Sequence, residues 1–203
     1  MKTITLGRQV RAAAVAPSSI DQEARTVELV WSTGAAVKRS DWMSGMVYNE
    51  ELSMAPAHVR LDRLNSGAPL LAAHDRNDLA AMIGVVERAW LAGNEGRALV
   101  RFSTRADVDP VWRDVADGII RKVSVGYKVN RYQETTAPGD KIQTFLAVDW
   151  EPEEISLVSV GADAAAGVRA EVQTPCEIVT HGPAAQRSIQ MARYRLSLAE
   201  REV

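Results

Sequence analysis

The sequence predicts a β-rich α+β fold. Three observations carry this: apolar residues recur at a spacing of two in several short runs, turn residues punctuate those runs, and only two or three segments show helical periodicity. The first strand is Thr26 to Ser32, where Val27, Leu29 and Trp31 share one face before Ser32-Thr33-Gly34 supplies a turn. A helix is expected over 53–64, with Pro56 in its first turn and Val59, Leu61 and Leu64 available for burial. Asn65 to Pro69 breaks it, and the apolar run Leu70 to Ala73 leads to His74-Asp75.

Ala81 to Trp90 and Arg97 to Ser103 read as a hairpin, the second strand alternating Ala98, Val100 and Phe102 against Arg97, Leu99 and Arg101. From Asp109 an N-cap and the N1 proline Pro110 open a helix whose stripe is Val111, Val115 and Ile119, weakened at its end by Gly118. Arg121 to Asn130 is the clearest strand. Val123, Val125, Tyr127 and Val129 face one way; Lys122, Ser124, Gly126 and Lys128 face the other. Ala137 to Asp140 is a turn, Lys141 to Trp150 a returning strand, and Glu154 to Val160 a further one. The Ala- and Gly-rich segment Gly161 to Val168 closes the compact part, giving one domain over 1–169. Residues 170–203 read as a tail: linker at Thr174-Pro175 and His181 to Pro183, then an amphipathic helix with Ile189, Ala192, Leu196 and Ala199 on a stripe.

Composition narrows the function classes. With 203 residues, 46% of them hydrophobic and 25% charged, the chain can bury a real core. A net charge of −2 supplies no global field toward nucleic acid or an anionic membrane. The single cysteine, Cys176, excludes an intrachain disulfide and a thiolate metal cluster. No run approaches the roughly 20 apolar residues that span a bilayer, and the N-terminus lacks an apolar signal core, so a soluble, intracellular protein is expected. Phosphate loops, GxSxG elbows and HExxH metal spacings do not occur.

Ser124 is the candidate nucleophile. It lies mid-strand on the face opposite four apolar side chains, beside Gly126, where a substrate backbone has room to approach. A serine on the polar face of a strand is also ordinary surface. His74, at the end of an apolar run, is the candidate base, since imidazole titrates near neutrality. Taken by itself, the same residue reads more readily as a solvated loop histidine. His58, within the expected helix, and His181, in linker, suit the role less. The acid that would orient the histidine is open among Asp149, Glu151, Glu153 and Glu154, of which Glu154 opens an apolar strand.

Several blocks together resemble the HK97-type prohead proteases of tailed phages: Val30 to Gly34, Arg63-Leu64-Asn65, Pro69 to Leu71 before His74-Asp75, and Ile83 to Val86. Gly118-Ile119 with Ser124 to Tyr127, and Trp150 to Pro152 with Glu154 to Val158, continue the likeness, which runs from about Val27 to Gly167. One departure is Gly161-Ala162, where the family carries Pro-Ala. The resemblance implies a herpesvirus protease-like fold, a small β-barrel wrapped by a few helices. It also implies a serine endopeptidase that cuts capsid and scaffold precursors inside the prohead in the host cytoplasm, in a family whose members often process themselves as well. By the family's order of residues, Ser124 is nucleophile, His74 general base and Glu154 the orienting acid, with Asp149 second. The partners implied are the major capsid protein precursor and scaffold; self-association is left open, and no nucleic acid or membrane is expected. The alternative is a catalytically idle head assembly or scaffold protein on the same fold. A hydrolase of small esters or amides would share the triad chemistry.

Overall fold

The computed structural model describes residues 2–6, 9–15, 19–40, 45–159 and 174–179. In chain order these form β1 (Lys2–Leu6), β2 (Gln9–Val15), β3 (Thr26–Ser32), β4 (Val37–Ser40) and β5 (Val47–Leu52), then α1 (Asp62–Asn65) and β6 (Pro69–Ala72). There follow β7 (Met82–Ala92), β8 (Glu95–Phe102), α2 (Asp109–Ala116), β9 (Lys122–Glu134), β10 (Gln143–Leu157) and β11 (Thr174–Val179). The mixed, mainly β character agrees with the period-two patterning.

All eleven strands join one sheet in the order β1-β11-β9-β2-β3-β8-β7-β6-β10-β5-β4, and β9 also pairs with β10. That pairing turns the sheet back on itself, but β1 and β4 remain as edges. The expected small barrel wrapped by helices is therefore corrected: the sheet is not closed into a barrel. The physical cause lies in the two long strands, which fork. The first half of β9 pairs with β2 through Lys122–Tyr127, and its second half with β11 through Arg131–Gln133. Likewise β10 pairs with β5 over Gln143–Ala147 and with β6 over Ile155–Leu157. Register shifts at Ala147/Asp149, Asp149/Trp150 and Pro152/Glu154 let β10 change direction between these neighbours. Among the described residues α1 and α2, of four and eight residues, are too short to wrap the sheet.

Several elements differ from expectation for identifiable reasons. The helix expected over 53–64 shrinks to α1, because Val59 bridges Trp150 and the backbone of His58 and Arg60 bonds Trp150 instead of a helical turn. The two strands expected over 141–160 are one, β10, which carries Pro152 at a register shift where a missing N–H does least harm. In α2 the buried stripe is Val108, Trp112 and Val115, and Ile119 lies beyond the helix, 72% exposed. Pro175, read as linker, lies in β11, which pairs with β1 and β9. The boundary at 169/170, Gly161-Ala162 and the expected helix over 184–202 lie outside the described residues.

The core gathers Trp31, Trp150, Tyr127, Phe102, Leu29 and Leu64 at near-zero exposure. Trp150 is its hub, meeting Trp31 edge-on at 5.9 Å and Tyr127 at 5.6 Å, with its Nε1–H on the Ser53 carbonyl. Gly96 lies against Trp31: a Cβ there would sit 2.4 Å from the indole.

Candidate functional site

The strand crossing of β9 and β10 places the candidate residues. Gly126 is the register partner of Glu154, and Ser124 of Ser156. Glu154 is fully buried, so its carboxylate needs partners inside the protein. Two are present: Ser156 Oγ donates to Oε2 at 2.6 Å, and His74 Nδ1 lies 2.7 Å from Oε1. A carboxylate only accepts, so the Nδ1 that meets it carries a proton. His74 is itself 20% exposed at the side chain.

The segment that delivers His74 is held tightly. Ala73 N–H donates to the Leu157 carbonyl at 2.8 Å, tying the end of β6 to the end of β10, and Asp75 N–H closes a turn on Ala72. Ala73 and His74 adopt φ of +52° and +64°, a left-handed pair uncommon without glycine. Asp75 then accepts from the N–H groups of Asn77 and Asp78, and Arg76 reaches Glu153. The imidazole is positioned by backbone bonds on both sides and by Glu154 in front.

Ser124 departs from its expected place. Residues 123–127 are all buried, so β9 is covered on both faces here and Ser124 is only 1% exposed. Its Oγ has no hydrogen-bond partner among the described residues. The His–acid half of a triad is formed, while the serine–histidine contact that would activate the hydroxyl is absent. Asp149, the second choice of acid, is engaged elsewhere: Arg60 clamps both its oxygens at 2.6 and 2.7 Å, and Asn130 adds a third bond. Those hydrogen bonds from Arg60 hold the Asp149 carboxyl below the ordinary carboxylate range despite some desolvation. Glu151 pairs with Lys128, and Glu153 with Arg63 and Arg76. Among the described residues no three His, Cys, Asp or Glu side chains gather as metal ligands would.

Sequence reasoning missed a second polar cluster. Glu50, fully buried on β5, accepts from Arg39 Nε at 3.0 Å, Tyr127 OH at 2.5 Å and Tyr132 OH. Arg39 also donates to Tyr127 OH at 2.8 Å. Burial opposes the Arg39 charge, but Tyr127 and Glu50 more than offset it and hold the guanidinium above its usual value. Burial, reinforced by the Glu50 charge, pushes the Tyr132 phenol well up. The one available signal was Glu50 at an inward position of an alternating strand, Tyr48-Asn49-Glu50-Glu51-Leu52.

No family model matches the chain, and no solved structure does. It is 42% identical over 135 residues to the major capsid protein of Halomonas phage phiHAP-1, a stretch that is 66% of this chain. The chain spans 22% of that relative's length. The similarity sets the chain in a phage-related context. It corrects the prohead-protease resemblance, and with it the endopeptidase reading: the relative is a capsid protein, and Ser124 stands without its base. The expected partners are corrected too. The chain resembles a capsid protein rather than a separate enzyme acting on capsid and scaffold precursors.

Proposed function

We propose that this chain is a catalytically idle head-assembly module, a part of a phage capsid-type polypeptide that acts in the phage head during assembly. The observation that carries the reading is the 42% identity to a stretch of a major capsid protein. The Ser124 hydroxyl supports it, being 1% exposed and without a hydrogen-bond partner among the described residues, where a nucleophile would meet its base and its substrate. His74, Ser124 and Glu154 then serve position rather than chemistry. Glu154 gathers His74 and Ser156 and so pins the 73–81 segment to the end of β10.

The test is a phage carrying Ser124→Ala, with particles counted by electron microscopy. Heads in wild-type number are expected, since no step uses the hydroxyl. Loss of mature heads from a variant that folds would overturn the reading.

A further inference from the structure

The segment 73–81, which joins β6 to β7, is held by almost no packing. None of its residues is buried, and its largest apolar side chain, Leu79, is 85% exposed. Apolar burial, which fixes the strands on either side, contributes little here. The position of the segment depends instead on a few polar contacts.

Three of these are made by side chains. His74 Nδ1 meets Glu154 at 2.7 Å, Arg76 reaches Glu153 at 3.3 Å, and Arg105 holds the Leu79 and Ala80 carbonyls. The Arg76 and Arg105 side chains are 37% and 40% exposed, so water weakens both contacts. Glu154 is fully buried, which makes its contact with His74 the firmest of the three. The backbone works against them. Ala73 and His74 are adjacent non-glycine residues in the left-handed region, where a Cβ is crowded, and release of the segment relieves that strain.

We propose that residues 73–81 form a strap that opens as a unit while the sheet stays folded, with Ala73–His74 as its hinge and the His74–Glu154 contact as its latch. Opening breaks two backbone bonds, from Ala73 N–H to the Leu157 carbonyl and from Asp75 N–H to that of Ala72. It also draws the imidazole off Glu154 and admits water to a carboxylate that the closed strap leaves fully buried. The strap does not depend on the head-assembly reading, because Ser124 takes no part in it.

The test is amide hydrogen exchange of the full chain, read residue by residue by NMR in rising, sub-denaturing urea. Ala73 and Asp75 are expected to share one low protection that urea barely changes, since a local opening exposes little surface. The Val86 amide, bonded to the Ala68 carbonyl within the sheet, is expected to be protected at least about a hundredfold more and to lose protection as urea rises. His74→Ala keeps the hinge strain and removes the latch, so protection at Ala73 should fall about tenfold. Ala73→Gly keeps the latch and relieves the hinge, so protection at Asp75 should rise about threefold. Ala73 and Asp75 matching Val86 in protection and in urea dependence would overturn the strap. Unchanged protection in folded His74→Ala would overturn the latch, and unchanged or lower protection in Ala73→Gly would overturn the strained hinge.

Discussion

Ser124 and Glu154 are neighbours in the same crossing, yet they stand in opposite energetic positions. Glu154 is buried with both oxygens bonded, so Glu154→Gln exchanges an acceptor for a donor facing His74 Nδ1 or Ser156 Oγ and should cost about 1–3 kcal/mol. Ser124 buries a hydroxyl that bonds nothing among the described residues, so Ser124→Ala should leave stability unchanged or raise it by about 1 kcal/mol. Urea denaturation of both variants checks the pair. Asp149 offers a pH test. Its folded carboxyl is held low by Arg60, so the contact stabilises above the ordinary carboxylate range and is lost as pH falls through the depressed folded value. Carboxyl carbon NMR should show Asp149 titrating below its neighbours, and moving upward in Arg60→Ala. The sequence made His74, Ser124 and Glu154 visible as residues of interest, because each sits where a strand pattern meets a polar side chain. Whether a hydroxyl reaches an imidazole depends on side-chain rotation and on what covers the strand, and neither is written in a period of two.

At the scale of elements, the edge pair β4–β5 is fastened by charge as well as by its ladder. Arg39 from β4 and Glu50 from β5 meet inside the protein with Tyr127 and Tyr132 of β9. Replacing Arg39 by Met leaves Glu50 buried without its cation and should cost about 3–5 kcal/mol in thermal or urea unfolding. A double variant that also replaces Glu50 by Leu should recover much of that loss. Strands β3, β8 and β9 were readable because their apolar residues alternate; β4 was not, since a four-residue edge strand, Val37-Lys38-Arg39-Ser40, carries almost no pattern. The expected helix at 53–64 failed for a tertiary reason: the backbone on either side of Val59 bonds Trp150, a partner far along the chain that local periodicity cannot report.

For the molecule as a whole, the forking of β9 and β10 decides the architecture. Each long strand serves one neighbour with its first half and another with its second, so the sheet turns back on itself yet retains edges at β1 and β4. A mainly β fold was legible in the sequence; the fork was not, because it depends on which remote strands compete for each half. The same holds for function. The residues suggested a triad, while the buried serine and the likeness to a capsid protein tell against the protease reading and support the assembly proposal. The most direct measurement is the intact mass of wild-type and Ser124→Ala protein, each incubated with its phage's capsid precursor under assembly conditions. Identical, uncut masses in both are predicted. New fragments with the wild type that are missing with Ser124→Ala would contradict the account and make Ser124 a nucleophile.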